Sequence, residues 1–95
     1  MDSKHVRKPR IYHDLMKVDR DGRIKLVLQG TVDDLRKQNV VLKDGLELTF
    51  YSDDANDAGE RDELRVDGTV QFNRDENCWV AKLHDESFRH ASEEV

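Results

Sequence analysis

Cysteine is nearly missing from this 95-residue chain: Cys78 stands alone. No disulfide can form within it, and a reducing, cytoplasmic setting is expected. Long apolar runs are missing too, and none approaches the ~20 residues that cross a bilayer. The start, Met1-Asp2-Ser3-Lys4-His5, leads into no apolar segment of the kind a secretory signal carries. The five glycines are isolated, which removes the glycine-rich loops that cradle phosphates. No Ser/His/Asp arrangement and no inward-facing carboxylate pair is visible, so a non-enzymatic role without a cofactor is expected. Aromatic residues make up only 6%, leaving Tyr12 and Tyr51 as the obvious candidates for stacking on bases.

Charge is abundant. Charged residues (39%) outnumber apolar ones (36%), a balance that leans toward disorder. The apolar residues nevertheless sit at alternating positions in short runs, which predicts a folded body with a charged skin. The net charge of −5 is uneven: eight Lys and Arg against four Asp give +4 through Lys25, leaving −9 for the rest. A basic arm on an acidic body is the resulting picture.

The plainest pattern lies between Leu64 and His84. Leu64, Val66, Val70 and Phe72 alternate with polar residues, and after Asn73-Arg74-Asp75-Glu76-Asn77 a second alternation sets Trp79, Ala81 and Leu83 on one side. This predicts a β-hairpin with one dry face. Placing Phe72 opposite Asn77 pairs Val70 with Trp79, Gly68 with Ala81 and Val66 with Leu83. Gly68 then leaves room for the Trp79 indole. The outer row pairs Asp67 with Lys82 and Arg65 with His84, with Val80 at its centre.

Further strands are predicted around Ile24–Leu28 and Leu46–Tyr51. A less regular segment at Ile11–Val18 is expected to form a first hairpin with Ile24–Leu28 across Asp19-Arg20-Asp21-Gly22. The spacing predicts a short helix over 31–38, capped by Thr31 and Asn39, with Val32 and Leu35 facing the core. Val40-Val41-Leu42 reads as a loose connection. Asp85 to Ala91 reads as a capped helical turn with Phe88 tucked against the body. Together these predict a mainly β fold: a small five-stranded antiparallel barrel or curled sheet, SH3-like by preference and OB-like second. The expected organisation is a basic arm over 1–10, one domain over 11–92 and a tail over 93–95.

Ser52 to Glu63 reads as an acidic loop. As a calcium loop it fails: started at Asp54, the fifth and twelfth positions fall on Ala58 and Arg65; started at Asp53, Ala55 and Leu64 spoil it. No metal is assigned. The loop and the adjoining hairpin face instead supply the leading binding candidates: Asp53, Asp54, Asp57, Glu60, Asp62, Glu63, Arg65, Val80, Lys82 and His84. Their expected partner is a protein with a basic surface. The alternative is nucleic-acid binding led by Lys4, Arg7, Lys8 and Arg10, four cations in seven residues that can contact phosphates. No membrane association is expected.

Gly30-Thr31, Asp34-Leu35, Leu48-Thr49-Phe50-Tyr51-Ser52-Asp53-Asp54, Trp79-Val80-Ala81 and Arg89-His90-Ala91-Ser92 give the chain a resemblance, from Tyr12 to Glu93, to a group of small bacterial β-barrel proteins of unknown function. The resemblance implies a bacterial cytosolic protein and carries over no catalytic residue.

Overall fold

A computed structural model describes residues 9–55 and 59–93. Six strands form one mixed sheet: β1 (Arg10–Tyr12), β2 (Arg23–Lys25), β3 (Glu47–Ala55), β4 (Arg61–Asn73), β5 (Cys78–Leu83) and β6 (Arg89–His90). The order is β1-β3-β4-β5-β2, with β6 paired to β4. β1 runs parallel to β3, and every other pairing is antiparallel. The expected first hairpin is therefore corrected: β1 and β2 lie at opposite ends of the path. The sheet is not closed into a barrel, and it is not wholly antiparallel. The turn at Asp19–Gly22 does form, with Gly22 at φ +76° and its N–H donating to the Asp19 carbonyl at 3.0 Å, but β2 leaves it to pair with β5.

The β4–β5 hairpin keeps its expected faces in a register moved by two residues: Phe72 opposes Trp79, Val70 opposes Ala81 and Gly68 opposes Leu83. The turn explains the shift. Asn73 closes the ladder opposite Cys78, its side-chain oxygen accepting from the N–H groups of Asp75 (3.0 Å) and Glu76 (3.3 Å). Asn77, at φ +53°, belongs to the turn instead of the strand. A move of two preserves every side chain's face, whereas a move of one would invert the hairpin. Gly68 consequently makes room for different neighbours from those expected. A Cβ there would lie 3.1 Å from the Phe50 ring and 3.2 Å from a Leu83 methyl.

The core gathers Ile11, Leu15, Ile24, Leu26, Leu35, Leu48, Phe50, Val66, Val70, Ala81 and Leu83. Burying one such side chain contributes roughly 1.5–3 kcal/mol against the entropy of ordering it. Among the described residues one α-helix, α1 (Gln29–Lys37), covers part of this core. It starts earlier than the sequence suggests, and Thr31 is not its N-cap: Thr31 and Leu35 are its buried residues. The C-terminus comes one residue earlier than expected, with Gln38 as the C-cap and Asn39 just beyond it. Asn39 takes φ +56°, its N–H donates to the Arg36 carbonyl at 3.2 Å, and the Val40 N–H reaches Leu35 at 2.9 Å. This is a Schellman closure, with Val40 packed back on the cluster that contains Leu35.

Both end strands are covered on their free edges. Along β1, Thr31 Oγ1 donates to the Tyr12 carbonyl at 2.6 Å, Asp34 Oδ2 accepts from the Tyr12 N–H at 2.9 Å, and Gln38 Nε2 donates to the Arg10 carbonyl at 2.8 Å. Residues 31, 34 and 38 share one helical face, so α1 stands where another strand would pair. Along β2, Asp19 accepts from the Arg23 N–H through Oδ1 (2.9 Å) and donates its own N–H to the Arg23 carbonyl (2.8 Å). Buried His13 completes the edge: Nε2 lies 2.8 Å from the Lys25 carbonyl and Nδ1 3.0 Å from that of Asp14. The imidazole thus bridges the chain leaving β1 to the end of β2.

The C-terminal region is not one helical turn. A 3-10 turn at Asp85–Ser87 loops three residues out, β6 resumes pairing with β4, and a second 3-10 turn spans Ala91–Glu93. Phe88 is 39% exposed and not tucked away.

Candidate functional site

The acidic stretch expected as a loop is mostly ladder. Asp53 opposes Glu63, Asp54 opposes Asp62 and Ala55 opposes Arg61, so β3 and β4 project as a two-stranded ribbon. Like charges directly across a ladder destabilise it, and aspartate is a poor strand former. The sequence alone therefore argues for a loop. The rest of the fold compensates. On the core-side face of the ribbon, His90 Nε2 meets Asp54 Oδ2 at 2.6 Å, and Ser92 donates to Asp62 from Oγ (2.6 Å) and from its N–H (3.2 Å). The His90 hydrogen bond holds the Asp54 carboxyl below the ordinary carboxylate value, and Asp54 in return raises the His90 imidazole above its own. The Ser92 hydroxyl lowers Asp62 in the same manner.

On the opposite face Glu63 accepts from Arg65 Nε at 3.0 Å and lies 3.7 Å from Arg10 Nε. Asp53 differs from its neighbours. It is exposed, and among the described residues it has no hydrogen-bond or ion-pair partner. An open groove of about 340 Å³ lies beside it, lined by Asp53, Arg61, Asp62, Glu63 and Ala91. Glu60 is exposed next to the ribbon, and Asp57 falls outside the described residues.

The other expected binding residues do not join this group. Lys82, Val80 and His84 belong to the far part of the sheet: Lys82 pairs with Thr69, six residues along β4 from Glu63 and so roughly 20 Å away. Lys82 Nζ donates to the Asp21 carbonyl. Val80 is corrected from an exposed contact to a buried one, 2% exposed, because Lys25 and Gln71 flank it on the neighbouring strands of the same face. His84 Nε2 lies 2.8 Å from Thr69 Oγ1, which also contacts Glu47 Oε2 at 2.6 Å. The carboxylate can only accept, so the one hydroxyl proton points to Glu47 and His84 donates to the oxygen. Thr69 is then not oriented as a nucleophile activated by His84.

Of the basic arm, Lys4, Arg7 and Lys8 lie outside the described residues. Arg10 is a strand residue, stacked 4.9 Å from the centre of the Tyr51 ring. Tyr51 also meets Tyr12 edge to face at 5.8 Å. Burial raises the Tyr51 phenol above its ordinary value, with Asp34 adding to the effect.

Among the described residues no group of three or more His, Cys, Asp or Glu is placed to hold a metal ion, and no helix is long and apolar enough to cross a membrane. From the sequence His13 and His90 read as surface histidines and Ser92 has no role. The structure buries His13 and gives the three partners at Lys25, Asp54 and Asp62, which stand 12, 36 and 30 residues away. No protein-family model, no curated protein and no solved structure matches this chain.

Proposed function

We propose that the protein is a non-enzymatic binding module whose β3–β4 ribbon receives a basic segment of a partner protein. One observation carries this reading: the Asp53 carboxylate is exposed and unpaired beside Glu63, at the mouth of the groove. Its acidic neighbours Asp54, Asp62 and Glu63 are all engaged inside the chain. A lysine or arginine side chain from a partner supplies the missing counter-charge, and arginine also matches the planar carboxylate with two hydrogen bonds.

The competing reading gives the arm to nucleic acid. Arg10 argues against it, because its guanidinium is already engaged by the Tyr51 ring and lies near Glu63. The two readings separate by anisotropy titrations with a labelled arginine-rich peptide and a labelled single-stranded RNA. Asp53→Lys should abolish peptide binding and leave the fold intact, while removal of residues 1–10 should leave peptide binding unchanged. RNA binding lost with the arm, alongside no peptide binding at all, would favour the alternative.

A further inference from the structure

A second cavity, of about 430 Å³, opens between β2 and the segment running from His13 to Asp19. It shares no residue with the acidic ribbon. It sits at the opening between the two ends of the sheet, where His13 bridges them, and its volume falls in the range of small-molecule sites. We propose that this cavity binds a small organic carboxylate with an apolar body, the carboxylate on Lys17 and Arg23 and the body against Val18, Val27 and Leu28.

The lining carries the opposite sign from the chain as a whole. Lys17, Arg23 and Lys25 face one acid, Asp19, in a protein of net charge −5. Lys25 is occupied, its ammonium 2.7 Å from Glu76. Lys17 has no ion-pair partner among the described residues. Arg23 is paired with Asp21 at 3.0 Å, but its buried Nε makes no hydrogen bond, the nearest carboxylate oxygen, on Asp19, lying 3.4 Å away. Turning that guanidinium toward a ligand gives up the exposed Nη2 contact to Asp21 and no Nε hydrogen bond.

The apolar part of the wall is uncovered: Val27 is 59% exposed and Val18 36%. A ligand body laid on them removes apolar surface from water. The wall also favours one negative charge over two. Asp19 repels a dianion, and a planar carboxylate fits the guanidinium fork. A peptide strand is disfavoured, because the backbone groups of Arg23 and the carbonyl of Lys25 on that edge are already taken by Asp19 and His13.

The test is an amide NMR titration of the full chain with octanoate, with neutral octanamide and with inorganic phosphate, repeated on Lys17→Gln. Octanoate is expected to shift the Lys17, Val27 and Leu28 signals saturably. Octanamide and phosphate should each bind at least about fivefold more weakly, and Lys17→Gln should lose about tenfold for octanoate, as for one charge-assisted contact. Lys17 is exposed, so this variant keeps the fold. The assignment is overturned by an absence of saturable shifts at tens of millimolar octanoate, or by shifts centred elsewhere. It is equally overturned if octanamide or phosphate binds as tightly, or if Lys17→Gln binds unchanged.

Discussion

His90 Nε2 and Asp54 Oδ2 meet at 2.6 Å, and through that contact the C-terminal strand β6 is fastened to the acidic ribbon. The pair joins positions 36 residues apart and sets one of two like-charged ladder residues against an imidazole whose protonated form it favours. Any change that weakens it loosens the hold of β6 on β3 and leaves the Ser92 hydrogen bonds to Asp62 to offset the Asp54–Asp62 repulsion alone.

The first prediction concerns pH. The His90 value is raised above the ordinary 6.5 in the folded chain, chiefly by Asp54, so its contribution is complete below about 6.5 and is lost as pH rises through the folded value. Asp54 is lowered below 3.8, so its contribution is present above that value and is lost as pH falls through the folded one. The β6 contact is therefore tightest between the two folded values and loosens as pH leaves that window on either side. NMR titration of the His90 ring should give a midpoint above 6.5 that returns toward it in Asp54→Asn. An unchanged midpoint in that variant would show that Asp54 is not the cause.

A second prediction concerns His13. Substitution by Phe keeps an aromatic ring of similar bulk and removes both nitrogens that face the Lys25 and Asp14 carbonyls. Leaving a fully buried carbonyl unsatisfied costs about 1–3 kcal/mol, and these carbonyls are part-buried, so the lower end of that range applies. Urea unfolding should show a loss of that order for His13→Phe, accompanied by faster amide exchange at the ends of β1 and β2. Wild-type stability would mean that the bridge contributes nothing.

Two glycines predict effects with different causes. At Gly68 an added Cβ meets the Lys82 carbonyl and the Phe50 ring, each at 3.1 Å, so Gly68→Val should overpack the hairpin at a cost of about 1–3 kcal/mol. At Gly45 no atom lies within 4 Å, yet φ is +88°, so Gly45→Ala pays only the backbone strain of about 1–2 kcal/mol. The Gly68 change should also alter the Phe50 and Leu83 side-chain NMR signals, while the Gly45 change leaves them alone.

The helix end offers a fourth test. Asn39 holds φ +56° to complete the closure of α1. Asn39→Gly should be neutral or slightly stabilising, and Asn39→Val should cost at least about 1 kcal/mol in thermal or urea unfolding, because a β-branched residue resists that conformation. Equal stability of the two variants would contradict the left-handed assignment.

These sites also show what the residues disclosed. The alternation at Val66, Val70, Ala81 and Leu83 was legible because a half-buried hairpin writes its faces into neighbouring positions. Asn39 was legible because its role is local. The ribbon was not: Asp53, Asp54, Asp62 and Glu63 argue for a loop unless His90, Ser92 and Arg65 are known to stand beside them. The parallel pairing of β1 with β3 was equally hidden, since three residues carry no directional signal. Thr31, Asp34 and Gln38 held one unused hint, a polar stripe at helical spacing, which reads as solvent-facing until a strand edge is set against it. For the candidate site, the acidic residues were found, but which one is left without a partner depends wholly on the fold.

The central claim is that Asp53 lacks an internal counter-charge and receives one from a basic partner. Amide NMR of the full chain during titration with an arginine-rich peptide tests it most directly, in wild type and in Asp53→Asn. The account predicts saturable shifts centred on Asp53, Arg61 and Glu63, weakened up to about fivefold in the variant, as for one exposed ion pair. Shifts centred away from the ribbon, or an affinity that Asp53→Asn leaves unchanged, would contradict it.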